Sequence, residues 1–309
     1  MKDSKIEWTD HTFNPWSGCA KVSPGCAHCY AESLSKRTGS LGKWGKGAER
    51  RRTRAANWLG PVIWNKQAEG ATRRPRVFCA SLADWLDDEV PAEWLADLII
   101  LVFTTPNLDW LFLTKRPQNF RSRMQAALEV LDRLTIGGAK LESWMHGGPW
   151  IPQNVWIGTT VEDQQRADER IPQLLEIPAA VRFLSCEPLL GPVDLRMTAG
   201  LAHGEDAADY RVDWVIAGGE SGPGARPMHP DWARALRDQC AEARVPFLFK
   251  QWGEWLPADH MQGVPEKNCA FHREAGMEHG LWRIGKKAAG RLLDGVEHNA
   301  FPREEVPHD

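Results

Sequence analysis

The sequence predicts an α/β fold, a full or incomplete (β/α) barrel of the TIM type, and three observations predict it. Short apolar runs rich in β-branched and aromatic residues recur along the chain, helical stretches lie between them, and nearly every run ends in charged or hydrogen-bonding residues. Runs with so little polar alternation suit strands buried on both faces. Strand–helix alternation repeated this often implies a parallel sheet.

A first strand is expected just before Cys19. The six clearer runs are residues 76–81, 109–115, 154–160, 181–187, 213–220 and 245–251. Their centres lie roughly 27 to 45 residues apart, the length of a strand, a crossover helix and two loops. Helices are expected over 91–105, which opens on a proline suited to a first turn and carries Trp94, Leu95, Leu98 and Ile99. Others are expected over 117–134, 164–177 and 231–243. About seven strands suit the barrel, and a doubly wound sheet is the alternative that the same alternation allows. Residues 36–54, 138–150, 196–211 and 257–280 interrupt the cadence as loops or insertions, and residues 282–295 suit a hairpin or a strand with a turn. No segment carries a second core, so residues 1–309 form one domain.

Composition narrows the function classes. Of 309 residues, 42% are hydrophobic and 26% charged, which is ordinary globular usage. The net charge of −3 gives no global attraction to nucleic acid or membrane, so any such attraction is local. No apolar run approaches the roughly 20 residues of a membrane helix. The opening Met1-Lys2-Asp3-Ser4-Lys5-Ile6-Glu7 has no apolar signal region, and a cytoplasmic protein is expected. There the seven cysteines are not expected to form disulfides. Sixteen tryptophans against two tyrosines supply core anchors, with some available to stack on a base.

Three cysteines crowd into one stretch. Cys19, Cys26 and Cys29 lie on a Pro- and Gly-bearing loop and can converge on one metal centre, whereas Cys79, Cys186, Cys240 and Cys269 are scattered. Three thiolates on a four-iron cluster leave one iron open, as a reactive cluster requires. Cys-x2-Cys also serves zinc, and His28 would complete a Cys3His zinc site with the same thiols.

The motif running from Asn14-Pro15-Trp16-Ser17-Gly18-Cys19 to Cys26-Ala27-His28-Cys29-Tyr30-Ala31 resembles the first-strand signature of radical S-adenosylmethionine enzymes, especially the branch containing spore photoproduct lyase. As a whole the chain is similar to a phage- and prophage-associated family of three-cysteine-motif proteins. It matches that family over residues 6–16 and around Lys115-Arg116-Pro117, Cys186-Glu187-Pro188-Leu189, Gly218-Gly219-Glu220-Ser221-Gly222 and Lys250-Gln251-Trp252-Gly253. The resemblance implies a radical S-adenosylmethionine barrel with a 4Fe–4S cluster on Cys19, Cys26 and Cys29. S-adenosylmethionine would bind the open iron, and an electron donor protein would supply the electron that yields a 5′-deoxyadenosyl radical. His28 stands where the family has an aromatic residue against the adenine, with Tyr30 beside it. The family's Gly-Gly-Glu follows its second strand, where this chain has Asp84, a candidate for the methionine ammonium. Its own Gly-Gly-Glu lies far downstream and makes Glu220 a second candidate.

The remaining candidates come from the strand ends, where barrels gather their chemistry. Cys186 is a candidate hydrogen-atom donor beside Glu187. Lys115, Arg116, Thr160 and Lys250 are candidates for the cofactor carboxylate or an anionic substrate. Each has a plainer role as well: packing for Cys186, helix capping for Asp84, a solvated strand end for the others. Residues 36–54 hold eight Lys or Arg and one acid around Trp44, suited to phosphate contacts with a stacking ring. The resemblance, whose enzymatic relatives include a DNA-lesion repair branch, makes a nucleic acid or nucleobase the expected substrate. The second function class is a non-catalytic nucleic-acid-binding protein stabilised by zinc or a cluster.

Overall fold

The computed structural model describes residues 2–132, 135–196, 211–261, 269–273 and 280–302. Seven parallel strands form one sheet: β1 (His11–Thr12), β4 (Arg76–Cys79), β5 (Asp109–Thr114), β6 (Val155–Thr160), β7 (Val181–Cys186), β8 (Trp214–Gly218) and β9 (Phe247–Gln251). Between the first two, β2 (Trp16–Ser17) pairs antiparallel with β3 (Arg51–Arg52). The spatial order of the seven follows the chain order, each strand beside its predecessor. That is the winding of a barrel opened on one side; a doubly wound sheet would reverse direction at its middle. The sheet curls into an incomplete TIM-type barrel.

The helices are α1 (Tyr30–Thr38), α2 (Ala55–Gln67), α3 (Ala92–Phe103), α4 (Phe120–Leu131), α5 (Ile136–Met145), α6 (Gln164–Leu175), α7 (Pro230–Ala243) and the short α8 (Lys286–Ala289). Pro91 is the N-cap of α3, Asp163 caps α6 by accepting from the Arg166 N–H at 2.9 Å, and Pro230 opens α7. Two of these helices, α1 and α5, reach into segments where the sequence pattern suggested loops, and α2 has no counterpart among the expected helices. α5 occupies most of 138–150, whose glycines hid an apolar face carrying the buried Leu141, Trp144 and Met145. α1 runs through the start of the basic segment 36–54, and α2 forms despite an internal Pro61. The expected insertion at 196–211 lies almost wholly outside the described residues. Within 257–280 the described part includes β11 (Phe271–His272), which joins β10 (Trp255–Pro257) and β12 (Leu281–Arg283) in a small antiparallel sheet. Residues 282–295 are neither a simple hairpin nor a strand with a turn: β12 ends in them, α8 follows, and Leu293 bridges Val296. Among the described residues, no helix is long and apolar enough to cross a membrane.

Strand parity divides the core in two. Val77, Cys79, Trp110, Phe112, Ile157, Leu184, Cys186, Val215 and Phe249 face the helices in the larger cluster. Phe78, Leu111, Trp156, Phe183, Trp214, Ile216 and Leu248 face the other way and pack with Trp8 from the N-terminal segment. Trp8 meets Phe78 at 4.6 Å and Trp214 at 6.3 Å between ring centroids, both edge to face, so aromatic rings fill the inner face of the curl. Most of the tryptophans singled out in the sequence thus have packing partners rather than a free face.

Candidate functional site

Period-two alternation continues past each aromatic plug residue to the C-terminal rim. From Leu111 the inner face passes to Leu113 and Lys115; from Trp156 to Gly158 and Thr160; from Phe183 to Ser185 and Glu187; from Leu248 to Lys250. Lys115, Thr160, Glu187 and Lys250 therefore share one face above the plug. The Lys115 ammonium donates to Thr160 Oγ1 at 3.2 Å, joining β5 to β6. The Lys250 ammonium donates to both Glu187 oxygens, at 2.7 and 2.8 Å, and Gln251 Nε2 adds a third bond at 3.1 Å. This pair reaches from β7 to β9 across β8, where Gly218 lies beneath it: a Cβ there would sit 3.5 Å from Lys250 Cβ and 3.6 Å from Glu187 Cδ, in ordinary contact.

The same parity corrects the expectation for Cys186. Neighbours on a strand point to opposite faces, so with Glu187 inward Cys186 turns to the helix side. It is fully buried there, and burial pushes its thiol well above the ordinary range. A hydrogen-atom donor at the rim needs the other face.

The cysteine loop lies across this rim and is tied to three places on it. Arg116, at the end of β5, donates from Nη1 to Cys19 Sγ at 3.6 Å and from Nη2 to the Ala20 carbonyl at 2.9 Å. Glu162, just past β6, accepts from the Gly25 N–H at 3.3 Å and is itself held by Arg170 at 2.8 Å. Arg226, beyond β8, donates to the Pro24 carbonyl at 3.1 Å. On the loop's outer side the Gly45 N–H donates to the Cys19 carbonyl at 2.9 Å, which sets the basic segment against the first cysteine. Cys26 ends a 3-10 turn over Pro24–Cys26, with its sulfur 3.8 Å from Ser23 Oγ, and Cys29 is the N-cap of α1. Burial pushes the Cys19 thiol up to about 11, with Asp84 adding to the rise and Arg116 opposing it.

The two carboxylates expected to receive an ammonium are already occupied. Asp84 Oδ1 accepts from the Leu86 N–H at 3.0 Å and Thr114 Oγ1 at 2.7 Å; Oδ2 accepts from the Lys115 N–H at 2.9 Å and Arg116 Nη1 at 3.0 Å. Glu220 pairs through both oxygens with the Arg226 guanidinium, at 2.5 and 2.8 Å, and also takes the Arg226 N–H. Gly219 before it has a packing reason: a Cβ there would collide with the Trp252 carbonyl oxygen. His28 is exposed, with its ring 2.9 Å from where a Gly224 Cβ would be, so that glycine leaves room for it. Tyr30 is exposed and its hydroxyl donates to the Ser81 carbonyl at 2.7 Å.

The basic segment is partly spent inside the protein. Arg50 is buried against Asp87 at 2.8 Å and Glu89 at 2.6 Å. Arg52 lies over Trp58, 4.3 Å from its centroid, and pairs with Asp97; Lys36 pairs with Glu32. Arg37, Lys43, Lys46 and Arg54 are exposed, and Trp44 is half-buried. Sequence reasoning missed Arg170 and Arg226. The two arginines carried no local signal, because their partners lie on other strands or loops.

The donor set suits an iron–sulfur cluster in kind and location: three free, partly exposed thiols on one loop at the C-terminal end of a parallel barrel, with a guanidinium aimed at one sulfur. Among the described residues, no three His, Cys, Asp or Glu side chains are already gathered closely enough to hold a metal ion. The family model described as "Protein of unknown function (DUF5131)" matches residues 3–302. No curated protein matches the chain. Among solved structures, spore photoproduct lyase complexed with dinucleoside spore photoproduct aligns at 12% identity and a TM-score of 0.40, over 91% of this chain and 70% of that one. A doubly substituted mutant of the lyase, with bound AdoMet and dinucleoside spore photoproduct, aligns at 11% identity and 0.39, with the same coverage.

Proposed function

The chain belongs to this family of proteins of unknown function, and we propose that it is a radical S-adenosylmethionine iron–sulfur enzyme whose substrate is a nucleic acid or nucleobase. The observation that carries the reading is the cysteine loop drawn over the rim of an incomplete parallel barrel, tied to the ends of β5 and β6 and to the segment after β8. Cys19, Cys26 and Cys29 would hold a 4Fe–4S cluster, gathering as it binds, since metal ligation and local folding are coupled. When bound and reduced, that group supplies an electron to S-adenosylmethionine and so gives access to a 5′-deoxyadenosyl radical. The chain's own residues do the rest. Lys115 and Thr160 offer a cation and a hydroxyl to the cofactor carboxylate, and the aromatic plug beneath them excludes water from the inner face. The exposed Lys43 and Lys46, with Trp44 between them, stand beside Cys19 and suit a phosphate backbone and a stacked base.

The deciding experiment is anaerobic reconstitution of the full chain followed by metal and product analysis. The reading expects brown protein with about four irons per chain. It also expects slow, dithionite-dependent formation of 5′-deoxyadenosine without added substrate. Colourless protein carrying one tightly held zinc would replace it with the nucleic-acid-binding alternative. A full cluster that neither binds nor cleaves S-adenosylmethionine would leave an iron–sulfur protein without radical chemistry.

A further inference from the structure

We infer that Arg116 is the residue that positions Cys19, the first of the three thiol ligands, and that Asp84 acts through it; the inference rests on the cluster reading above. Arg116 is 4% exposed and Asp84 6%. A buried guanidinium is costly unless paired and hydrogen-bonded, and this one has a carboxylate partner and two further acceptors. Its Nη1 bridges Asp84 Oδ2 at 3.0 Å and Cys19 Sγ at 3.6 Å, while Nη2 donates to the Ala20 carbonyl at 2.9 Å. Asp84 is fixed in turn by the hydroxyl of Thr114 and by the N–H groups of Leu86 and Lys115. One connected path therefore runs from the segment after β4, through the end of β5, to the sulfur of Cys19.

Among the described contacts, Cys19 is the one member of the trio that a cation addresses; Cys26 touches a serine hydroxyl, and Cys29 stands at the N-cap position of α1 with no side-chain capping bond. This asymmetry has chemical consequences. A guanidinium makes a charge-assisted bond to a thiolate, and outer partners of this kind orient a ligand and tune its metal. Hydrogen bonds to ligating sulfurs help set a cluster's reduction potential. A lysine at 116 keeps the charge but lacks the planar fork that reaches carboxylate, sulfur and carbonyl together. Asp84 and Arg116 are positioning residues, since neither needs to touch substrate for this role.

The test uses full-length wild type, Arg116→Met, Arg116→Lys and Asp84→Asn, with two readouts. In metal-free protein, hydrogen exchange of peptides covering residues 18–22 should quicken about tenfold in Arg116→Met and Asp84→Asn, as expected for losing a hydrogen bond to a charged group. Exchange over β5 to β7 should stay as in wild type. In reconstituted protein, the cluster midpoint potential should shift to more negative values in Arg116→Met, with Arg116→Lys between it and wild type. A merely structural arginine would leave the potential of correctly loaded protein where it was. Unchanged exchange at 18–22 in Arg116→Met, or an unchanged potential in the loaded variant, overturns the inference. If wild type takes up no iron, the cluster reading falls, and the exchange measurement still decides whether Arg116 positions this segment.

Discussion

Replacing Arg50 by methionine should cost the fold about 3–5 kcal/mol, far more than a charge in a run of basic residues suggests. The side chains of Arg50 and Asp87 are each 1% exposed. Arg50 Nε donates to Asp87 at 2.8 Å, Nη2 to Glu89 at 2.6 Å, and Nη1 to the carbonyls of Gly45 at 3.1 Å and Ala48 at 2.7 Å. Methionine keeps the apolar stem and removes all four hydrogen bonds, leaving the Asp87 carboxylate buried without its cation. An exposed pair is worth only about 0–1 kcal/mol, so the size of the loss separates the two descriptions. Urea unfolding measures it directly, and the melting point should fall on the order of 10 °C. Arg50→Met with Asp87→Leu should recover most of the loss, because the uncompensated charge is gone. Iron uptake should weaken in the single variant, since the strip that Arg50 anchors backs the Cys19 carbonyl through Gly45. A single-variant loss under about 1 kcal/mol would refute the buried-pair argument.

Further outcomes are expected. Gly219→Ala should destabilise by about 1–3 kcal/mol in thermal or urea unfolding, since its new methyl meets the Trp252 carbonyl oxygen, which is backbone and gives little. Cys26→Ala should abolish cluster loading and 5′-deoxyadenosine formation while circular dichroism keeps the wild-type spectrum, because Cys26 lies on a loop outside both core clusters. Asp294 is held down to about 2 by hydrogen bonding to Arg234 and then Arg237. Its contribution is therefore complete above the unfolded carboxylate value near 3.9 and lost as pH falls toward about 2. Asp294→Asn should flatten that part of the stability–pH curve. Neutralising Lys43 and Lys46 together should weaken nucleic-acid binding and lower its salt dependence; unchanged affinity would remove this strip from the interface.

The barrel was legible because strand and helix periods are local properties. All six apolar runs became sheet strands, and the four expected helices formed within a few residues of their assigned ends. α5 was hidden because Gly137, Gly138, Gly147 and Gly148 bracket its apolar residues and suggest a loop. Site assignments suffered from a different limit. Cys186 and Glu187 looked like a functional pair because they are adjacent, yet neighbours along a regular strand point to opposite faces. Asp84 and Glu220 looked available because their arginine partners, Arg116 and Arg226, join them only through tertiary structure or a turn. Arg50 looked like its basic neighbours until folding brought Asp87 against it.

The charges at the rim show where a ligand must be recognised. Asp84 faces Arg116, Glu162 faces Arg170, Glu187 faces Lys250 and Glu220 faces Arg226. Each acid is neutralised by a cation of the chain, and three of these cations also fasten something: Arg116 and Arg226 the cysteine loop, Lys250 the β7–β9 contact. Lys115 differs, because among the described residues its ammonium meets the Thr160 hydroxyl and no carboxylate. A cation on the inner face with only a neutral partner favours an anion, and the bond it would form is worth about 1.5–3 kcal/mol. On the proposed reading, Lys115→Gln should therefore weaken S-adenosylmethionine binding by about tenfold or more, measured by equilibrium dialysis against reconstituted protein. Lys250→Gln should instead act through Glu187, left without its cation, and lower stability before it lowers affinity. If Lys115→Gln binds as wild type does, the carboxylate contact lies elsewhere on the rim, and the pairing of Lys115 with Thr160 is only a join between two strands.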